Sequence, residues 1–305
     1  METFSIGALI KGLRENMQIT QEDLAGDYFD RCYISKIERG KVMPSKSTLE
    51  MLFDRLSQDP KTAINYFIVD EQTLAVQKLK DTIDIHISRG RIEYALRTIA
   101  ELESNTQYMQ HRVSQQYILK SKAAVMSLKG EDPALVIAKL EEAIAITIYN
   151  LDVKDISKNL LLLQQDYMIL TSIAKQYNRK GELSTAITIM EALVHNMKAR
   201  YISTSTKCII YPKLICDLTK YLYKAHLFEE CIDKCNEGIR EALEIGVTVS
   251  VVKISEIKAI CLIETNRREK GEPLIRQVHA AYLLFKEDYK AGRLKKIAKD
   301  YGIEL

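Results

Sequence analysis

Residues 19–25 read ITQEDLA, residues 33–41 read YISKIERGK, and these two stretches decide the fold of the first part of the chain. Thr20 is a favourable helix N-cap, and Asp23 lies three residues on, where a capping box needs an acceptor. Asp30 can cap a second helix, and Gly40 stands where a left-handed C-cap belongs. The pattern predicts two short helices joined by a tight turn, a helix-turn-helix whose second helix enters the major groove of DNA.

Flanking helices are expected from about Ser5 to Asn16 and from Ser45 to Ser57, with a further short segment over Thr62 to Phe67. The chain has 305 residues, of which 47% are hydrophobic and 28% charged, as in folded soluble proteins. With only 5 prolines and 12 glycines, long uninterrupted helices are favoured. The apolar runs are all shorter than the roughly 20 residues that span a bilayer, so a cytoplasmic protein without membrane contact is expected.

From Gln72 onward the pattern is helical, with breaks expected at Gly90, Gly130, Gly181, near His226, at Gly246 and at Gly271. These breaks give units of roughly 40 to 50 residues, the signature of a stacked helical repeat. The clearest unit joins Leu170, Ile173, Ala174, Tyr177, Gly181 and Ala186. A stack of helix pairs has a concave face lined by the first helix of each pair, and such faces bind extended peptides. A non-repetitive helical bundle is the alternative.

The first two stretches resemble the helix-turn-helix of the Xre-type and lambdoid-repressor family, whose pattern is matched at nearly every fixed position. The resemblance implies that Gln21, Arg39 and Lys41 contact phosphates. It places Arg31, Cys32, Ser35 and Lys36 on the exposed face of the recognition helix. It also implies that Arg14 and Glu38 form a charged pair that ties the first helix to the recognition helix. The turn is shortened and lacks the usual glycine at its normal place.

Taken whole, the chain resembles the Rgg, PlcR and PrgX group of regulators. The resemblance implies an all-α chain: an N-terminal helix-turn-helix domain (1–68), then a tetratricopeptide-like right-handed helical repeat domain (69–305). In that group the repeat domain dimerises and binds a short linear signalling peptide, which changes how the paired DNA domains sit on an inverted-repeat operator. The expected partners are therefore double-stranded DNA, a peptide and a second copy of the chain.

The same resemblance places seven residues on the inward face of the repeats: Lys120, Thr171, Lys175, Asn178, Lys213, Cys216 and Lys220. Members of the group use asparagines on this face to hold the peptide backbone, because an amide both donates and accepts. Here Thr171 and Cys216 stand where asparagine is expected. Asn178, together with Asn159 and Gln164 on one long helix, could replace them, and the lysines favour an acidic ligand.

Other classes of function are weighed against this one. The second hypothesis is a repressor of a phage or mobile element, whose helical domain only dimerises or binds a protein antirepressor. A third is a phosphatase-like enzyme, but the sequence offers no paired carboxylates, nucleophile–base set or phosphate loop, so no enzyme is expected. Because acids and bases nearly balance in residues 1–65, a protein-binding cap is also considered. The cysteine and histidine spacings suit no metal site, and no cofactor is expected.

Overall fold

The structure is a computed structural model that describes residues 6–58, 71–156, 160–199, 202 and 204–305. The described residues form sixteen helices and no strand, which confirms the all-α prediction. The chain divides into two compact units, Met1–Thr82 and Ile83–Leu305. The predicted domain boundary after residue 68 and the predicted segment Thr62 to Phe67 both lie outside the described residues.

The first unit contains four short helices close to the predicted ones. They are α1 (Ile6–Asn16), α2 (Gln21–Ala25), α3 (Arg31–Glu38) and α4 (Lys46–Arg55). Ile10, Leu24, Ile34, Leu52 and Phe53 are fully buried and form one apolar core between the four helices. Burial of a side chain of this size stabilises the fold by roughly 1.5–3 kcal/mol each. The core therefore sets the orientation of α3 relative to its three neighbours.

The remaining helices have 12 residues or more, except the four-residue α7, and most of them follow one another as consecutive pairs. They are α5 (Glu71–Ser88), α6 (Ile92–Glu103), α7 (Thr106–Met109), α8 (Arg112–Leu128), α9 (Pro133–Ala145), α10 (Gln164–Arg179), α11 (Leu183–Lys198), α12 (Thr204–Lys224), α13 (Phe228–Glu244), α14 (Thr248–Glu264), α15 (Arg268–Leu284) and α16 (Asp288–Asp300). From α8 onward each helix packs on the next. The first helices of successive pairs also touch, α10 with α12 and α12 with α14. This is the predicted repeat stack, with its first helices in a row.

Each corner inside a helix pair is closed by a residue in the left-handed conformation. These residues are Gly90, Gly130, Gly181, His226 and Asn266, with φ between 57° and 88°. The following amide then donates to the carbonyl five residues earlier, as from Glu182 to Tyr177 at 2.9 Å. This is the Schellman arrangement, which satisfies the last carbonyls of the first helix and stops it. The predicted breaks at the first three glycines and at His226 are confirmed.

The break expected at Gly271 is wrong. Gly271 lies inside α15, and the chain turns instead at Asn266 (φ 58°). A Cβ on Gly271 would come within 2.6 Å of Ile263 Cγ1 and 2.9 Å of the Ala259 carbonyl oxygen. This glycine is needed because α14 and α15 approach each other closely at this point, and it has no role in turning the chain.

The helical pattern from Gln72 onward ends with α16. Leu294 and Ala298 are buried on its inner side, and Ile297 is half-buried. Leu294 and Ala298 pack with Ile275 and Val278 of α15 in a core cluster that also contains Ile303. Within the described chain, α16 therefore caps the C-terminal end of the repeat stack.

Two corners between helix pairs allow a direct test of how much a residue other than glycine costs in the left-handed conformation. Gly246 (φ 76°) follows α13, and Lys286 (φ 56°) occupies the equivalent place after α15. A non-glycine residue pays about 1 kcal/mol in this conformation. We predict that Lys286→Gly stabilises the protein by about 1 kcal/mol and that Gly246→Lys destabilises it by a similar amount. Urea unfolding followed by circular dichroism measures both. Changes of the same sign in the two variants would contradict the argument.

Candidate nucleic-acid interface and ligand groove

Local side-chain caps begin both helices of the helix-turn-helix. Thr20 Oγ1 accepts from the Asp23 amide at 3.0 Å, and Asp23 Oδ2 accepts from the Thr20 amide at 2.7 Å. The Thr20 hydroxyl and amide together hold the pKa of Asp23 below its usual value. Asp30 Oδ1 accepts from the Cys32 amide at 2.5 Å and so begins α3. The predicted capping box and second cap are confirmed.

The turn between the two helices does contain a glycine, one that the sequence pattern missed. Gly26 follows α2 with φ 56° and ψ −145°, a conformation that only glycine adopts readily. A Cβ on Gly26 would lie 2.5 Å from an Arg55 guanidinium nitrogen. Arg55, the last residue of α4, donates from Nη2 to the Asp23 carbonyl oxygen at 2.7 Å. This hydrogen bond links the end of α4 to the turn after α2. The dipeptide of Gly26 with Asp27 could have indicated this turn.

A buried carboxylate joins three of the helices. Glu38 accepts from Arg14 Nε at 2.6 Å, from Arg14 Nη2 at 3.1 Å and from Gln21 Nε2 at 2.7 Å. The hydrogen bond to Glu38 raises the pKa of Arg14. Arg14 Nη1 also donates to the Ile19 carbonyl oxygen at 2.9 Å. The predicted Arg14–Glu38 pair is present, and Gln21, expected at a phosphate, directs its amide nitrogen to the same carboxylate.

The outer face of α3 is polar and basic. Arg31, Cys32 and Lys36 are exposed and Ser35 is half-buried, while Ile34 and Ile37 on the opposite face are fully buried. Arg39, Gly40 and Lys41 follow α3 and are exposed.

The four cations of this face, Arg31, Lys36, Arg39 and Lys41, have no salt-bridge partner among the described residues. Arg39 folds back on α3: Nη2 donates to Ser35 Oγ at 2.8 Å, and Nε donates to the Ser35 carbonyl oxygen at 3.0 Å. The cations are therefore available to phosphate or base-edge oxygens, which is the chemistry that DNA recognition requires.

In the second unit, the first helices form a groove with two adjoining cavities. The larger, about 270 Å³, lies between the end of α5, α8, α9 and α10. Apolar residues line it together with Lys120, Lys175 and the carboxylate-bearing Asp84. The smaller, about 150 Å³, lies between α10 and α12 and is lined by Thr171, Lys175, Lys213 and apolar residues. Both cavities share Met168, Ser172 and Lys175 of α10. Two linked cavities suit an extended ligand better than a compact one.

Some of the predicted groove residues line the two cavities, and others make contacts outside them. Lys120, Thr171, Lys175 and Lys213 line the cavities. Asn178 Oδ1 accepts from Lys224 Nζ at 3.2 Å, and Lys220 lies 3.1 Å from Asp217.

Two other predicted residues contribute less. Cys216 is buried, and this burial raises the pKa of its thiol to about 11. Gln164 is exposed at the first position of α10 and lines neither cavity. The groove is thus built from apolar side chains, three lysines, and a smaller set of neutral polar and acidic groups that includes Asp84.

The expected long helix carrying both Asn159 and Gln164 is wrong, because Leu160–Leu163 are not helical. Asp166 accounts for the late helix start. Its carboxylate accepts from the Leu163 amide at 2.9 Å, from Gln116 Nε2 at 2.9 Å and from Thr147 Oγ1 at 2.8 Å. Asn159 lies outside the described residues.

Comparison with known proteins identifies the fold. The chain is similar to the crystal structure of Bacillus thuringiensis PlcR in complex with the peptide PapR7 and DNA (19% identity, TM-score 0.70, 95% of this chain and 99% of that one). It is also similar to the Streptococcus dysgalactiae SHP pheromone receptor Rgg2 (15% identity, TM-score 0.66, 97% and 98% covered). A third similar structure is ComR from S. thermophilus in complex with DNA and its signalling peptide ComS (14% identity, TM-score 0.59, 98% and 100% covered).

The chain therefore has the helix-turn-helix plus tetratricopeptide-like fold of these structures, as predicted. No known family model matches the sequence, and no curated protein sequence matches it significantly. Among the described residues, no helix is both long and apolar enough to span a bilayer.

Removal of Arg14 tests the role of the buried pair. Its side chain is 11% exposed and that of Glu38 only 3%. Arg14→Ala would therefore remove two of the three side-chain hydrogen bonds to a buried carboxylate, together with its counterion. We predict a loss of about 3 kcal/mol in stability. Lys11→Ala is the control, because the Lys11–Glu15 pair on the same helix is exposed and contributes at most about 1 kcal/mol. Hydrogen exchange of the α3 amides reports the loss; equal protection in the two variants would exclude the role given to Arg14.

Proposed function

We propose that the protein is a cytoplasmic transcription regulator that binds DNA through α3 and senses a short linear peptide in the groove of its second unit. One observation carries the proposal: a recognition helix with an open basic face and a lysine-lined apolar groove occur in one chain. The PlcR structure, which has the same fold, contains both a peptide and DNA. No enzymatic activity is proposed.

On the DNA side, the residues divide by the contacts they can make. Arg31, Cys32 and Lys36 project from α3, so they are proposed to read base edges in the major groove. Lys41 and Arg39 follow the helix and are proposed to contact phosphates, with Ser35 holding the Arg39 guanidinium in place. Gln21 uses its amide nitrogen for Glu38 and keeps its amide oxygen as an acceptor. Its proposed phosphate contact can use the second hydrogen on Nε2 or its backbone amide at the start of α2.

Selection from a randomised DNA duplex pool tests these roles. Truncation of a base-reading side chain costs about 1–3 kcal/mol at one base position, so Arg31→Ala with Lys36→Ala should lose sequence preference at the positions they read. Lys41→Ala is the control for loss of a phosphate contact. It should weaken binding to all sequences alike and reduce the salt dependence by about one phosphate contact. An unchanged selected sequence in the double variant would refute the assignment of α3.

On the ligand side, the groove offers apolar walls and cations on neighbouring helices. An extended peptide places successive side chains about 3.3 Å apart, so one peptide can reach both cavities. Its apolar side chains would fill the cavities, and its carboxylate would pair with lysine. Thr171 Oγ1 donates to the Tyr167 carbonyl oxygen at 2.7 Å, which leaves the hydroxyl able to accept from a peptide amide.

Lys213 is the residue whose removal tests the peptide site most directly. It is exposed, lines the smaller cavity and has no ion-pair partner among the described residues. We predict that Lys213→Ala weakens retention of peptides with a free carboxylate by about tenfold, or about 1.4 kcal/mol. A pool of synthetic peptides on immobilised protein, quantified by mass spectrometry, gives the readout. Lys234→Ala on α13 is the control with the same loss of charge. Equal retention by both variants would remove Lys213 from the site.

The peptide is proposed to act as a switch on a homodimer bound to an inverted-repeat operator. A ligand shifts an equilibrium only by the difference in its affinity for the two states. Because a symmetric dimer holds two grooves and two recognition helices, each peptide can bias the same pair of DNA contacts. The open groove also supports a peptide ligand over the antirepressor hypothesis, which a filled concave face would favour.

A further inference from the structure

Asp217 of α12 does not line the groove itself but forms an ion pair with Lys175, which lines both cavities. Asp217 Oδ2 lies 3.3 Å from Lys175 Nζ on α10, and its Oδ1 lies 3.1 Å from Lys220 Nζ on α12. The Asp217 side chain is 15% exposed, whereas the two lysines are 52% and 53% exposed. A sheltered carboxylate is therefore held between two cations that face water.

Lys175 is shared by both cavities, so its charge matters to any ligand that fills them. In the structure that charge is partly neutralised by Asp217. Lys213 in the smaller cavity has no such partner among the described residues. An entering anion thus meets one unpaired cation and, beside it, one cation that already has a counterion.

We infer that Asp217 is an internal counterion that the carboxylate of a ligand replaces at Lys175, so that Asp217 sets the affinity and the charge selectivity of the groove. The inference rests on the proposed function, because it assigns the ligand class as a peptide with a free carboxylate. The exchange is feasible because the Lys175 side chain is half-exposed, so water screens its pair with Asp217.

Lys220 keeps Asp217 paired during the exchange, so that no sheltered carboxylate loses its only counterion. When Lys175 turns to the ligand, Asp217 keeps its contact with Lys220 at 3.1 Å, so the sheltered carboxylate is not left without a cation. A neutral ligand makes the exchange poorly, because a carbonyl oxygen offers Lys175 a hydrogen bond but no negative charge in place of Asp217. The groove would therefore discriminate a free carboxylate from an amide at the same position.

Removal of the internal charge tests the inference. The probes are two randomised synthetic peptide pools of about seven residues, which span roughly 23 Å when extended. One pool has free C-terminal carboxylates and the other C-terminal amides. The third probe is 8-anilinonaphthalene-1-sulfonate, an apolar anion that does not depend on peptide recognition. The full chain is compared with Asp217→Asn, and with Asp233→Asn, which makes the same charge change at an exposed position of α13.

The expected result is a rise of about three- to fivefold in affinity for the carboxylate pool and for the dye in Asp217→Asn only. The amide pool should be unchanged. The gain should disappear near 1 M salt, where the screening length falls to about 3 Å. Unchanged or weaker anion binding in Asp217→Asn overturns the inference, and the proposed function then survives if the unsubstituted chain still prefers the carboxylate pool.

The experiment can also support the role of Asp217 while it contradicts the peptide-binding function. If Asp217→Asn binds the dye more tightly but neither peptide pool is retained, Asp217 is confirmed as the groove's counterion and the peptide function fails. If Asp233→Asn produces the same gain as Asp217→Asn, the effect is one of net charge and the inference is overturned.

Discussion

The left-handed residue at each helix corner is the constraint on which the repeat unit depends. It stops the first helix of a pair, and the amide that follows it satisfies a carbonyl five residues earlier, as from Arg267 to Leu262 at 2.8 Å. Because every first helix ends in the same way, the first helices come to lie side by side, and α10 and α12 touch. Lys175 and Lys213, far apart in sequence, line one cavity as a result.

In the first unit, a buried carboxylate stabilises the arrangement of short helices. These helices are too short to be stable alone, since isolated helices under roughly 12–15 residues are marginal in water. Glu38 links α3 to Arg14 of α1 and Gln21 of α2 through three hydrogen bonds. These contacts fix α3 from its inner side and leave its outer side free of ion pairs among the described residues. The buried, ion-paired side of α3 and its exposed basic side are thus chemically separate.

Features that depend on a few neighbouring residues could be predicted from the sequence, and features that depend on distant ones could not. The caps at Thr20 and Asp30 are local, so both were predictable. Glycine is ambiguous, because it serves both left-handed turns and close helix contacts. Gly181 turns the chain whereas Gly271 admits a neighbouring helix, and no local signal separates the two. The inward lysines followed from repeat position, but the partner of Lys175 lies 42 residues away on α12.

The Lys175–Asp217 pair affects which ligands an apolar groove lined by lysines can select. The apolar walls of the groove would accept many side chains, since burial of apolar surface is not directional. Discrimination must then come from charges, and a fully unpaired row of lysines would attract any anion. Asp217 reduces that attraction, so an incoming ligand has to offer a carboxylate good enough to replace an existing contact. A competing charge beside the groove, paired with one of its lysines, would thus exchange some affinity for selectivity between charged and neutral ligands.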